Sequence, residues 1–121
     1  MAIGCLVAGA VAVRLAATFT LAWTHSVEKI EWQEDWRATP AGLVLEEVRV
    51  QGSGAGMEPP DDAVREGDFY VAHPALAPQR QIVLRRSGAT ADWRVCMDGA
   101  CQPMGTLLPE DADPVTLTMC E

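Results

Sequence analysis

From Arg14 to Val27 the chain alternates without interruption: Leu15, Ala17, Phe19, Leu21, Trp23, His25 and Val27 share one parity, and Arg14, Thr18, Thr20, Thr24 and Ser26 share the other. A period of two belongs to a strand, because successive side chains of an extended backbone leave on opposite faces. The run therefore predicts one long, half-buried strand. It also sets His25, at the far end, on the same face as the aromatic residues. A titratable imidazole aimed at the core side makes His25-Ser26-Val27-Glu28-Lys29, with Trp32, Glu34 and Trp36 after it, the place to look for chemistry.

The next segment keeps the same period, with Ile30, Trp32, Glu34 and Trp36 on one parity and Glu31, Gln33, Asp35 and Arg37 on the other. A hairpin turning at Glu28-Lys29 would face Val27 with Ile30, His25 with Trp32, Trp23 with Glu34 and Leu21 with Trp36. Large residues then meet on one face, and parity survives any even-sized loop. Thr39-Pro40-Ala41-Gly42 reads as a turn. Leu43 to Gln51 reads as a third strand that needs a bulge at Glu46-Glu47, because Leu43 and Leu45 have one parity while Val48 and Val50 have the other. Further short strands are expected at Gly4–Ala8, at Phe69–Ala72, and around Ile82 and Leu84, Trp93 to Met97, and Val115 to Met119. No stretch carries a helical period. The expectation is one all-β domain over residues 1–121, an antiparallel sandwich or barrel of about eight short strands.

Four cysteines constrain it further. In Cys96-Met97-Asp98-Gly99-Ala100-Cys101 the Asp-Gly pair signals a two-residue hairpin, closed by residues 97 and 100. Cys96 and Cys101 then form the next, non-hydrogen-bonded pair, with Cα atoms about 4.5 Å apart, which a disulfide spans. Cys5 and Cys120 pair if the first and last strands are neighbours. Cys96 and Cys120 fall on the outward parity, so neither bridge is expected in the core. An even count with a well-placed bridge points to an oxidising compartment.

Nine Lys plus Arg against 17 Asp plus Glu give a net charge of −8, which disfavours nucleic acid and anionic lipid as partners. No acidic residue precedes Glu28; those after it read as a solvated acidic face. Met1 to Val13 is uncharged and apolar but too short to span a bilayer. It resembles a signal h-region with a small-residue site at Ala10-Val11-Ala12, yet lacks a positive n-region, and cleavage there would discard Cys5. Gly4 to Ala8 is therefore read as a mature first strand.

In the expected register His25 and Glu34 are diagonal neighbours on the inward face, about 7–8 Å apart between Cα atoms. The carboxylate favours a charged imidazole and burial opposes it. The pair is open to three readings: a satisfied polar pair closing the core, a ligand-lining pair, or a general base with Glu34 orienting it. Ser26 is no nucleophile for His25, since adjacent strand residues face opposite ways. Only two histidines occur, His25 and His73, and the cysteine spacing suits a disulfide better than zinc, so no metal or cofactor is expected. The run from Gly52 to Gly56 reads as a flexible connection or as a nest of backbone N–H groups for an anion; folded over the open end of the sheet near His25, it would join Lys29 and arginines in holding a carboxylate, although no phosphate-loop motif follows it. The expected ligand-lining set is His25, Ser26, Glu28, Lys29, Glu34, Trp36, Gly54 and Gly56.

His25-Ser26-Val27-Glu28-Lys29, Trp32, Glu34 and Trp36, with Gly54-Ala55-Gly56 downstream, resemble an uncharacterised bacterial family catalogued as a domain of unknown function. Its genes commonly lie beside those of TAXI-type TRAP transporters. The likeness runs from about Cys5 to Cys120. It implies a periplasmic or membrane-associated accessory protein of solute uptake, non-enzymatic, contacting the permease, the solute-binding protein or a small carboxylate. The competing expectations are a small hydrolase or isomerase using His25 and Glu34 as an acid/base pair, and a purely structural interaction module.

Overall fold

The computed structural model describes residues 2–24, 30–52, 63–86 and 92–120. Strands are β1 (Gly4–Ala8), β2 (Val11–Arg14), β3 (Thr18–Thr24), β4 (Glu31–Thr39), β5 (Gly42–Gln51), β6 (Val64–Glu66), β7 (Phe69–Ala72), β8 (Gln81–Leu84), β9 (Arg94–Met97), β10 (Ala100–Pro103) and β11 (Val115–Met119). They form a four-stranded sheet, β2-β1-β11-β8, and a seven-stranded sheet, β10-β9-β3-β4-β5-β7-β6, in a sandwich-like arrangement rather than a closed barrel. Every pairing of these strands is antiparallel.

Among the described residues eleven strands replace the expected eight or so, partly because the alternating run from Arg14 is cut. β2 belongs to the small sheet and β3 to the large one, so Leu15, Ala16 and Ala17 carry the chain from one layer to the other. The backbone is satisfied on the way: the Leu15 amide donates to the Gly4 carbonyl at 2.8 Å, and the Ala38 amide donates to the Ala17 carbonyl at 2.8 Å. In the sequence the apolar parity of Leu15, Ala17 and Phe19 runs straight through the crossing, which is why periodicity does not reveal it. The added β6 is a three-residue exposed edge with no pattern to read.

Elsewhere the local chemistry decides the geometry. Asp98 and Gly99 both have positive φ, 54° and 80°, as a type I′ turn requires, and Met97 pairs with Ala100. Gly42, at φ 131°, lies so close to the Gln79 carbonyl that a Cβ would sit 2.8 Å from its oxygen. The β4–β5 register slips between Asp35 and Trp36: Asp35 faces Glu47 while Trp36 faces Leu45, leaving Glu46 as the extra residue of the bulge.

Both disulfides are present. Cys96–Cys101 joins β9 to β10 with Cα atoms 3.9 Å apart, and Cys5–Cys120 joins the first and last strands with Cα atoms 5.1 Å apart. Neither enters the apolar core cluster, although Cys5 is itself buried. Their loops differ greatly in size, so chain entropy assigns about 4.7 kcal/mol to a bridge across roughly a hundred residues and about half of that to one closing a tight hairpin. The core lies between the sheets, where Leu6, Val115 and Leu117 of the small sheet meet Leu21, Leu43 and Val95 of the large one. Met104, on a short 3-10 turn after β10, is fully buried with them.

Candidate functional site

The two faces of β4 carry different chemistry. Outward, Glu31, Gln33 and Asp35 form a ladder with neighbouring strands. Arg94 on β9 pairs with Glu31, and the Arg49 guanidinium on β5 donates to Gln33 at 2.7 Å and to both Asp35 oxygens at 2.7 Å. Arg49 also contacts Glu47, which His73 Nε2 meets at 3.2 Å, and the Thr20 hydroxyl donates to Asp35 at 2.7 Å. The Arg49 hydrogen bonds hold the Asp35 carboxyl below its ordinary range and outweigh the effect of burial. On the acidic face read from the sequence, these carboxylates are thus ion-paired rather than merely solvated. An open depression of about 500 Å³ beside the β9–β10 hairpin is lined by Thr18, Thr20, Asp35, Glu46 and Asp98 among others. Its Asp35 and Glu46 are already matched by Arg49 and Arg37, so it offers a charged ligand little.

The inward face is built in cross-strand rows. In the first, Trp32 faces Trp23 with ring centroids 5.7 Å apart and nearly parallel planes, and Trp93 tilts onto Trp23 at 4.7 Å. In the second, Val95, Leu21, Glu34, Val48 and Ala72 follow one another across β9, β3, β4, β5 and β7. All of these except Glu34 are buried apolar residues. In the third, Phe19 faces Trp36, which faces Leu45.

Glu34 therefore places a carboxyl in the middle of an apolar row. No arginine reaches it among the described residues: Arg37, Arg49, Arg85, Arg86 and Arg94 are bound to other carboxylates. Among the described residues its one hydrogen bond is from Trp36 Nε1, at 3.2 Å. Burial pushes the Glu34 carboxyl above the usual carboxylate range, and the Trp36 donor only partly offsets it. Two residues along the same face, the Trp32 Nε1–H is buried without an acceptor among the described residues. An unmet buried donor costs about 1–3 kcal/mol. Trp23, Trp32, Trp93 and Glu34 are each half-buried, so this end of the sheet is reachable from solvent.

The expected hairpin register is corrected by two residues. Trp23 faces Trp32, Leu21 faces Glu34 and Phe19 faces Trp36, because Thr24 pairs with Glu31 and the connection is longer than a two-residue turn at Glu28-Lys29. The diagonal position beside Glu34 that the sequence assigned to His25 belongs to Trp23, and His25 itself lies outside the described residues. Parity survived because the slip is even. Of the expected ligand-lining set, Glu34 and Trp36 come together; His25, Ser26, Glu28, Lys29, Gly54 and Gly56 lie outside the described residues.

Two features escaped sequence reading. Trp93 joins Trp23 and Trp32; its inward parity was legible, but its neighbouring strand was not. Arg86 donates to Asp92 at 3.0 and 2.6 Å, to the Pro109 carbonyl at 2.6 Å and to the Ala112 carbonyl at 3.0 Å, tying the approach to β9 to the segment before β11. Nothing in the Arg80, Arg85, Arg86 series marks that one as buried. Among the described residues no three His, Cys, Asp or Glu side chains cluster closely enough to hold a metal ion, and no helix is long and apolar enough to cross a membrane.

The two disulfides point to an oxidising environment outside the cytoplasm. No curated protein and no solved structure matches the chain significantly. A family model described as a domain of unknown function, DUF1850, matches residues 19–104, a span that holds the whole aromatic row, Glu34 and the Cys96–Cys101 hairpin. With more than half of its length matched, the chain belongs to the DUF1850 family.

Proposed function

We propose that this chain is a periplasmic accessory domain that binds a small carboxylate solute and assists a TRAP-type carboxylate transporter through its permease or solute-binding protein, catalysing no reaction itself. The observation that carries the reading is the uncompensated pair on the inner face of β4. The buried Trp32 Nε1–H lacks an acceptor, and Glu34 lies in an apolar row where burial favours its neutral, donating form. Two such donors match the oxygens of a carboxylate, and the Trp32 Nε1–H is itself shielded from water, which strengthens its hydrogen bond. The disulfides fit an extracytoplasmic site of action. The gene neighbourhood implied by the family resemblance supplies the transporter.

The test uses the full chain in its native host. Affinity capture from membranes is expected to return a TRAP permease or its solute-binding protein, and Glu34→Ala is expected to lower solute uptake while the domain remains folded. If no transporter component is captured and uptake is unchanged in the variant, the reading falls.

A further inference from the structure

We infer that the Glu34/Trp32 site selects monocarboxylic acids with an apolar body, rather than di- or tricarboxylates, a specification that rests on the carboxylate-binding reading above. The number of polar partners decides the selection. A monocarboxylate needs one polar anchor and apolar walls. A dicarboxylate needs a second anchor, and leaving a second carboxylate desolvated and unpaired is heavily penalised. Among the described residues the inner face supplies one anchor, composed of the unmet Trp32 Nε1–H and the Glu34 carboxyl, which keeps one oxygen beyond the Trp36 hydrogen bond. These residues lie two apart on one strand face, about 7 Å along the backbone, so their side chains leave the sheet side by side.

Around the anchor the side chains are apolar: Trp23, Trp32 and Trp93 on one side of Glu34 in the sheet, Leu21 and Val48 flanking it, and Phe19 and Trp36 on the other side. The arginines that would hold a second carboxylate are committed elsewhere. Arg49 and Arg94 point outward from the same sheet into Asp35, Glu47 and Glu31, and Arg86 is held by Asp92. Arg14, Arg65 and Arg80 are exposed on the surface. Stacked indoles also suit a flat or extended hydrocarbon body, which gains from dispersion and area burial with no polar cost.

The experiment is a fluorescence titration of the full chain, reading the Trp23/Trp32/Trp93 cluster, with benzoate, 4-phenylbutyrate and octanoate against succinate and citrate, and with benzamide as the uncharged control. The monocarboxylates are expected to saturate the signal at concentrations at least tenfold below those of succinate and citrate. Trp32→Phe, which keeps the ring and removes the N–H, is expected to weaken octanoate binding about tenfold, the size of one lost buried hydrogen bond. Glu46→Gln, on the outer face, is the control expected to leave binding unchanged. Tighter binding of succinate or citrate overturns the inference while leaving the carboxylate reading intact. Failure of every acid to shift the signal overturns both. Monocarboxylate binding that is unaltered in both Trp32→Phe and Glu34→Ala places the ligand elsewhere and overturns the assignment to this site.

Discussion

Glu34 and Asp35 are adjacent carboxylates on one strand, yet their environments are opposite. Asp35 faces outward into Arg49 and Thr20, and its proton is held less tightly than usual; Glu34 faces inward among Leu21, Val48 and the indoles, and its proton is held more tightly. One step along a pleated backbone exchanges an ion-pair network for an apolar wall. The lesson is that a carboxylate's chemistry in a sandwich depends on parity before it depends on residue type.

That contrast can be broken most severely from the apolar side. Leu21 faces Glu34 and is fully buried, so Leu21→Ala is expected to lower stability by about 2–5 kcal/mol, seen as a drop in the urea midpoint with little change in its slope. A loss below about 1 kcal/mol would mean that the row around Glu34 is not closely packed.

A smaller effect is expected on the outer face. Arg49→Met leaves Asp35 and Glu47 without their shared cation and is expected to cost about 1–2 kcal/mol, shrinking as salt is added. Insensitivity of that cost to salt would show that the guanidinium acts through packing rather than charge.

The smallest effect sharpens the comparison by its sign. Asp35 has a depressed pKa in the fold, so its contribution is present above the unfolded value and is lost as pH falls through the folded one. Glu34 has a raised pKa, so the folded state binds its proton more tightly. Its contribution is complete below the unfolded value, near 4.5, and is lost as pH rises through the folded value. Glu34→Gln is therefore expected to gain stability relative to the wild type between pH 4 and pH 7, by less than about 1.5 kcal/mol, whereas Asp35→Asn is expected to be less stable than the wild type throughout that range, a deficit that shrinks only as pH falls further, through the folded pKa of Asp35. Thermal melts of both variants across that range would settle the signs. Parallel pH profiles would dissolve the contrast between the two faces.

Much of the architecture was legible in the chain. Gly4–Ala8 and Phe69–Ala72 appear with the expected bounds, since alternation bounded by turn residues is a local signal. The bulge at Glu46 was legible as a change of parity, and the Cys96–Cys101 bridge as an Asp-Gly turn with a cysteine just outside each closing residue. The site was only half legible. Glu34 and Trp36 were placed inward correctly, but the expected register faced Glu34 with Trp23 where Leu21 belongs, because loop size leaves no mark on the strands it joins. Trp93 and Arg86 became visible only through their neighbours, as both depend on contacts between segments distant in the chain.

Sequence alone determined the period, the parity and the turns of this protein, because those are set within a few residues by backbone sterics and side-chain direction. The tertiary structure decided where the chain changes sheets at Leu15–Ala17, which residue faces Glu34, and that no arginine among the described residues reaches it. Those outcomes depend on how whole strands slide and stack, and the energy that fixes them is spread over the core rather than stored in any one segment.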